Sequence, residues 1–425
     1  MNPEDSWADH KGDRPSLGLA MLSAYLKQHG HNTKIIDLNH ENITIKEIVQ
    51  NKPDFICVTI ATPNYNRAIE IVNKFKELKT KYPRILRKMK FIAGGNHVAS
   101  YPNEPSTLAT YDFVVAGQRD GEQALLDIIE GRIKEQIVQS SFMNNLDDLP
   151  FPDYEGLKME RYNMLVDGVK AITMSTSRGC IYDCFYCGSS TIKKVRGHSP
   201  EYVVKHMKLL YDKYNIRGFY FVDDIFTYNF PRVINICRLI KETFTLNDIV
   251  IRVTTRSNLL TQELCYIMKD AGIDIISIGL ESGSDKVLKA MQKVETVEVQ
   301  RRGVEYCYNA GIKVKGFFII GNPSETWEDV MMTINFAKDL VQKGMLHYAD
   351  CYILNPVPAS QFWQNPEKFG IEAIKPKNSN WNDHYQIGKG QNIKVNIKHP
   401  YLTEEQLKEG IRLFFEETKI KGLTY

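Results

Sequence analysis

Between residues 171 and 354 the chain repeats one unit, a short run of apolar and β-branched residues followed by a longer stretch with helical spacing. The runs fall at 171–176, 218–222, 249–254, 273–280, 314–320 and 347–354. Strands joined by helix-length connections pair in parallel. Strands covered on both faces read as continuous apolar runs rather than alternating ones. The pattern therefore predicts an α/β architecture, a partial (β/α)6 barrel with its chemistry at the carboxyl ends of the strands, by analogy with full barrels. Ser199-Pro200-Glu201 supplies a clean helix start, with Ser as cap and Pro at the first helical position.

Residues 1–135 carry a shorter version of the same alternation. Leu17, Ala20, Met21, Ala24 and Tyr25 form a helical stripe within 16–28. Further helices are expected at 45–50, 66–79 and 122–130, and strands at 34–38, 54–60, 90–93 and 112–116. This predicts a second parallel sheet covered on both faces, of the Rossmann-like, flavodoxin type. Ligands of such sheets bind at the carboxyl ends of the strands. The loops there are 61–65 (Ala-Thr-Pro-Asn-Tyr), 94–97 (Gly-Gly-Asn-His) and 117–122 (Gly-Gln-Arg-Asp-Gly-Glu). Their Gly and small polar residues let backbone approach a ligand closely.

Residues 136–170 read as a connector, because Leu149-Pro150-Phe151-Pro152 continues neither a helix nor an inner strand, and it is expected to lie across the domain interface. The barrel domain is bounded at 171–360. Residues 361–425 form a C-terminal capping region, expected to close the open side of the barrel and to touch substrate. In it, Thr403-Glu404-Glu405-Gln406 opens a final helix with Leu407, Ile411, Phe414 and Phe415 on its face. Trp381, His384 and Tyr385 stand in its irregular stretch, either as core aromatics or near substrate.

Cys180, Cys184 and Cys187 form a C-x3-C-x2-C loop directly after the first barrel strand. Three thiolates in one short loop are a metal signal, and a fourth ligand to close the site is not adjacent. Three readings stay open on spacing: a four-iron cluster with one iron free for a small molecule, a zinc loop completed by a distant ligand such as His198, or three ordinary thiols. Cys57, Cys237, Cys265, Cys307 and Cys351 are scattered among apolar neighbours, as buried thiols of a reduced compartment are.

Composition narrows the class. The 425 residues suggest two or three domains. With 54 basic and 51 acidic residues the net charge is +3, which gives no reason to expect nucleic-acid binding. No apolar run approaches the roughly 18 residues of a membrane span. The first residues lack the basic and apolar regions of a signal peptide, so a cytoplasmic location is expected.

The cysteine loop, with Tyr186 just before its last cysteine, resembles the signature of the radical S-adenosylmethionine (SAM) superfamily. That resemblance implies a [4Fe–4S] cluster on Cys180, Cys184 and Cys187, its open iron chelated by the amino and carboxylate groups of SAM. One electron, from a donor such as flavodoxin or ferredoxin, would cleave SAM to a 5′-deoxyadenosyl radical. At the strand ends, Gly279-Leu280-Glu281-Ser282-Gly283-Ser284 matches the superfamily's fourth strand. Glu281 and Ser282 would hold the SAM ammonium and ribose, and Arg256 the carboxylate. Gly321 would let backbone meet adenine. Tyr186 and Asp223 complete the expected SAM neighbourhood; Asp223, Asp224 and Arg256 also fit a plainer reading as strand-end caps or ion pairs.

The order of pieces over residues 1–135 resembles the cobalamin-binding domain that precedes many radical SAM enzymes. The matching segments are Pro15-Ser16-Leu17-Gly18-Leu19, Thr62…Tyr65…Ala68, Gly94-Gly95-Asn96-His97 and Gly117…Gly121-Glu122. Thr62, Asn64, Tyr65, Gly94, Gly95, His97, Gly117 and Glu122 are the implied contacts. The Asp-x-His-x-x-Gly motif that places a histidine under cobalt is absent, so cobalamin would be held without one, with Asn64 or Tyr65 facing its lower side. Such domains open with an apolar strand before an Asn-Pro turn; here Asn2-Pro3 follows Met1 directly, so the first strand is expected to be missing.

Together the two resemblances imply a cobalamin-dependent radical SAM enzyme, similar to the C-methyltransferases of that group, acting on a small-molecule, lipid or peptide substrate. A cobalamin-dependent cyclase or oxidase, similar to the anaerobic magnesium-protoporphyrin ester cyclase, and a non-catalytic redox protein are the alternatives. Methylthiotransfer fits poorly, because only Cys57 lies in the first 135 residues.

Overall fold

The computed structural model describes residues 1–4, 13–81, 83–86, 88–245, 247–381 and 393–420. The chain divides into two compact units, Met1–Tyr162 with Pro376–Tyr385, and Asn163–Lys375 with Gln386–Tyr425.

The first unit is built on strands β1 (Phe55–Thr59), β2 (Lys90–Gly94), β3 (Phe113–Ala116) and β4 (Ile137–Gln139), all parallel, in spatial order β1-β2-β3-β4. Helices α1 (Leu17–Gln28), α2 (Ile45–Gln50), α3 (Tyr65–Lys81) and α4 (Glu122–Ile129) cover it. Helices α1, α3 and α4 each bury an apolar stripe, as 3.6-residue spacing dictates, and α2 buries Ile48. Ile71, Val72 and Phe75 of α3 are buried, with Phe75 packed 6.1 Å from Phe91 of β2. Burying a side chain of that size stabilises by about 2–3 kcal/mol. Thr44 closes a capping box at α2, its Oγ1 accepting from the Glu47 N–H while Glu47 Oε2 accepts from the Thr44 N–H at 2.7 Å.

Two expectations for this unit need correction. The first strand is not wholly missing: Met1 N donates to Cys57 O at 2.6 Å and Met1 O accepts from Thr59 N, while Asn2 N donates to Ile36 O and Asn2 O accepts from Leu38 N. Met1 and Asn2 therefore occupy the slot between 36–38 and β1, and the strand expected at 34–38 is reduced to the single Asn2–Asp37 parallel bridge. The connector is also not a free linker. Residues 137–139 add β4 to the sheet, and Leu146 and Leu149 are buried with Tyr25, Leu26 and Leu125. Asp153 accepts from Ser23 Oγ and Lys27 Nζ of α1, both at 2.6 Å.

The second unit is a curled sheet of β5 (Val169–Met174), β6 (Gly218–Phe221), β7 (Val250–Thr255), β8 (Ile273–Glu281), β9 (Lys313–Ile320) and β10 (Tyr348–Ile353), parallel and in chain order, with Leu165–Val166 antiparallel on β5. This is the expected partial barrel. Helices α5 (Pro200–Tyr214), α6 (Phe230–Thr243), α7 (Gln262–Asp270), α8 (Val297–Asn309) and α9 (Trp327–Gln342) alternate with the strands. Ser199 Oγ accepts from Tyr202 N at 3.1 Å, as its cap role requires. Charged groups enter the sheet as well as apolar ones: Arg252 is fully buried, lies 4.3 Å from the Tyr220 ring and donates to Ser277 Oγ, and Lys315 pairs with Asp350 at 2.6 Å.

The C-terminal region divides between the units. Helix α10 (Glu404–Thr418) starts at the expected Thr403–Gln406 capping box and packs on α9 and β10 of the second unit. Trp381 belongs to the first unit, while His384 and Tyr385 lie outside the described residues. Among the described residues, no helix is long and apolar enough to cross a membrane.

Candidate active site

The cysteine loop leaves the end of β5 and is gripped from several sides. Asp223, just past β6, accepts from the Thr176 N–H at 2.7 Å, from Thr176 Oγ1 at 2.5 Å and from Ser177 Oγ at 2.7 Å. Arg232 of α6 donates from Nη2 to Thr176 O at 2.6 Å and from Nε to His198 O at 2.8 Å. Gly179 has φ +99°, and a Cβ there would stand 2.0 Å from Lys194 O, so only glycine fits. Phe185 is fully buried, 4.6 Å from the Phe369 ring and 5.7 Å from Phe362, and its carbonyl accepts from Phe362 N.

Cys184 is buried, and Cys180 and Cys187 are partly so. Among the described residues, no three His, Cys, Asp or Glu side chains converge to hold a single metal ion. Three thiols within one braced loop are the donor chemistry of an iron–sulfur cluster. His198 does not complete a zinc site: it is buried, with its ring stacked 4.0 Å from Tyr202. Burial pushes the Cys180 thiol up, and Cys187 to about 12. Neither would ionise unaided at neutral pH; bound iron is what holds such sulfurs as thiolates. The donor set fits a [4Fe–4S] cluster with three protein ligands.

Beside Cys184 lies a buried chain of charges. Arg256, just past β7, donates from Nη1 to Cys184 Sγ at 3.2 Å, lies 3.8 Å over the Tyr182 ring and pairs from Nε with Glu295 at 3.4 Å. Lys293 bridges Glu295 at 3.7 Å and Glu281 at 3.3 Å, and also donates to Gly279 O. Tyr186 donates to Glu281 Oε1 at 2.8 Å. Glu281 sits at φ +61°, strained for a non-glycine residue, and a Cβ on Gly279 would come within 2.2 Å of its carboxylate. Arg256 Nη2 is buried and has no partner among the described residues, which leaves one fork of the guanidinium for an incoming carboxylate.

The structure thus brings Cys184, Tyr186, Arg256 and Glu281 together, and adds Lys293 and Glu295, which no sequence pattern marked. It does not bring the other expected SAM contacts there in the expected role. Asp223 is spent on the cysteine loop, where it is a brace. Ser282 is fully buried, its hydroxyl bonded to Thr333 Oγ1 at 3.0 Å and accepting from Ser284 N at 3.2 Å, which removes it from a ribose. The Gly321 N–H is taken by Glu325 Oε2, and a Cβ there would meet Ile397 and Leu407 at 3.0 Å, so its glycine answers close packing as well as its φ of +87°.

In the first unit the 61–65 loop and the two glycine-containing loops, 94–97 and 117–122, stand at the carboxyl ends of neighbouring strands. Ile60 N donates to Gly94 O and His97 N to Ile60 O, which zips the first two loops together. Gly95 (φ +98°) permits this; a Cβ would lie 2.6 Å from Ile60 N. Gly117 N donates to Ala99 O, and Gly117 O accepts from Ser140 Oγ at 2.9 Å. Glu122 is buried at the start of α4. Asn64 folds back to accept from Ala61 N at 2.9 Å, and the Tyr65 hydroxyl meets Thr107 Oγ1 at 3.0 Å, so both side chains are committed inside the domain. His97 is buried with both ring nitrogens engaged, Nδ1 to Thr62 Oγ1 at 3.1 Å and Nε2 to Glu104 Oε2 at 2.9 Å. At least partly exposed in these loops are the backbone of Gly94, Gly95 and Gly117, with open space where a Gly94 Cβ would stand, the half-buried Thr62 and Gln118, and the exposed Asn96 and Arg119. This cradle of small residues fits a large planar cofactor approached by main chain.

Comparison with known proteins agrees with both halves. The family model described as the radical SAM superfamily matches residues 174–337, and that of the B12 binding domain matches residues 7–128. The chain is 29% identical over 423 residues to an uncharacterized methyltransferase of Pyrococcus horikoshii, covering 94% of this chain and 86% of that one. It is 25% identical over 384 residues to the bacteriochlorophyllide d C-8(2)-methyltransferase of Chlorobaculum tepidum, covering 86% and 80%. Its fold resembles that of the radical SAM methyltransferase TsrM of Kitasatospora setae, solved with cobalamin and a [4Fe-4S] cluster, at a TM-score of 0.70 and 14% identity over 97% of this chain and 89% of that one. Fold and cysteine loop together define a radical SAM enzyme. The chain thus carries a radical SAM domain behind a B12 binding domain, the combination seen in the cobalamin-binding radical SAM methyltransferases it resembles, and its cofactors are a [4Fe–4S] cluster, SAM and cobalamin.

Proposed function

We propose that this enzyme methylates an unactivated carbon of a small-molecule, lipid or peptide substrate, drawing its electron from a soluble donor such as flavodoxin or ferredoxin in the cytoplasm. The observation that carries this reading is the near full-length similarity to a methyltransferase in a chain that holds both the three-cysteine loop and the B12 domain. When bound, the cluster with SAM supplies a carbon-centred radical, and cobalamin supplies the methyl group.

The protein's share is positioning and dryness. Cys180, Cys184 and Cys187 hold the cluster, and Asp223 and Arg232 fix the loop that carries them. Arg256 offers its free fork to the SAM carboxylate. Glu281, oriented by Tyr186 and Lys293, meets the ammonium or ribose. Arg256, Glu281, Lys293 and Glu295 are all buried, so their mutual attraction acts in a low dielectric and holds each in one place. Thr62, Gly94, Gly95 and Gly117 seat the corrin.

The test needs no substrate. Protein reconstituted anaerobically with iron, sulfide and hydroxocobalamin, then desalted, is given reductant and SAM carrying a deuterated methyl group. The expected result is retained corrin bands beside the broad iron–sulfur absorbance, release of 5′-deoxyadenosine, and deuterated methyl on the bound cobalamin. Retained corrin and 5′-deoxyadenosine without labelled cobalamin would sink the methyl-transfer reading and favour cyclisation or oxidation.

A further inference from the structure

A tryptophan from the far end of the chain completes the loops that receive the corrin. Trp381 is fully buried in the first unit, although the preceding residues 163–375 belong to the second. Its indole Nε1 donates to Glu104 Oε1 at 2.7 Å, and its main-chain N donates to Asn66 Oδ1 at 3.0 Å. Asn66 in turn donates to Asn380 Oδ1 at 3.1 Å. The indole lies 4.6 Å from the His97 ring, nearly perpendicular to it, and 6.2 Å from Tyr65.

The carboxylate of Glu104 is the hinge of this arrangement. A buried carboxylate accepts only: Glu104 Oε1 accepts from the Trp381 indole, Oε2 meets His97 Nε2, and the Tyr65 hydroxyl also lies within hydrogen-bond reach of this carboxylate. On the other side of the ring, His97 Nδ1 meets Thr62 Oγ1 at 3.1 Å, so the imidazole links Glu104 to Thr62. The sequence Trp381 to Glu104 to His97 to Thr62 therefore runs from the C-terminal segment to the loop after β1, passing through the loop after β2. Every member but the last is buried; Thr62 is the half-buried end.

We propose that Trp381 is a positioning residue of the cobalamin site, fixing Thr62 and the Gly94-Gly95-Asn96-His97 turn through Glu104. The cofactor domain is thus assembled from both ends of the chain, and its hold on the corrin depends on residues 376–381. This rests on the assignment of a cobalamin site to the first unit.

The test compares wild type, Trp381→Ala, Trp381→Phe and Glu104→Leu after anaerobic reconstitution and desalting. Corrin retention is read against iron–sulfur absorbance in the same sample, together with the electron paramagnetic resonance signal of bound cob(II)alamin. Losing a hydrogen bond to a buried carboxylate is expected to weaken corrin retention about tenfold in Trp381→Ala and Glu104→Leu. Trp381→Phe, which keeps a ring against His97 but has no N–H, should lose about threefold and shift the cob(II)alamin signal. All three should keep the wild-type cluster absorbance. Wild-type retention and signal in Trp381→Phe would overturn the proposal, as would parallel loss of cluster and corrin in every variant. A wild-type protein that takes up no corrin would instead overturn the cofactor assignment beneath it.

Discussion

Replacing Glu325 by glutamine should remove most of the alkaline destabilisation of the barrel unit. Glu325 is fully buried in the turn after β9, its Oε2 accepting from Gly321 N and, at 2.8 Å, from Asn322 N, while Oε1 has no partner among the described residues. Burial pushes its carboxyl from 4.5 up to about 8, against the pull of those two N–H donors. The folded chain therefore binds this proton more tightly than the unfolded chain. Its stabilising contribution is complete below pH 4.5, shrinks as pH rises towards about 8, and is gone above that. The whole window corresponds to about 5 kcal/mol at most, and the part between pH 6 and 8.5 to about 3 kcal/mol. Glutamine keeps an acceptor for both backbone donors and carries no titrating charge. Urea unfolding followed by circular dichroism at half-unit pH steps should show wild type losing stability across that window while Glu325→Gln stays nearly flat. Groups elsewhere cancel in the comparison, so equal pH slopes for the two proteins would refute the reasoning.

Other outcomes follow from the geometry. Cys184→Ala should abolish both the iron–sulfur absorbance and 5′-deoxyadenosine release; normal SAM cleavage in that variant would contradict the ligand assignment. Asp223→Ala leaves the Thr176 and Ser177 donors unsatisfied and should cost about 3–5 kcal/mol with loss of cluster retention, whereas Asp223→Asn keeps an acceptor for the Thr176 N–H and should cost about 1–2 kcal/mol, both read by thermal unfolding and iron content. Gly95→Ala forces a side chain onto Ile60 backbone at φ +98°, and a loss of less than about 1 kcal/mol on chemical unfolding would argue against that contact. Because both nitrogens of His97 are held, cob(II)alamin bound to wild type should show no nitrogen splitting from a protein imidazole.

Much of this was readable in the chain. The barrel strands were placed within two residues at each end, because strands buried on both faces leave continuous apolar runs between clear helix starts. Strand β4 was not seen, since three residues carry too little pattern, and the Pro-rich segment after it read as a linker although it buttresses α1. The cysteine loop and Glu281 were legible as fixed spacings. Asp223 and Ser282 were assigned to SAM because a carboxylate or hydroxyl at a strand end looks the same in sequence whether it faces a ligand or braces a neighbouring loop. Lys293 and Glu295 lie in an aperiodic stretch after Met291, where nothing distinguishes a buried ion pair from solvated charge. Trp381 sat in a polar, irregular segment that gave no hint of the domain it serves.

The placement of that tryptophan also sets an order of events at the ribosome. Glu104 and Trp381 are 277 residues apart, with all six barrel strands between them. At about 5–20 residues per second, roughly 14–55 s separate their synthesis. Through that interval the N-terminal sheet has its own strands and helices but not the indole that occupies the second oxygen of Glu104. The earliest part of the chain is thus among the last to be finished, and a corrin captured before then would meet loops still lacking their final support.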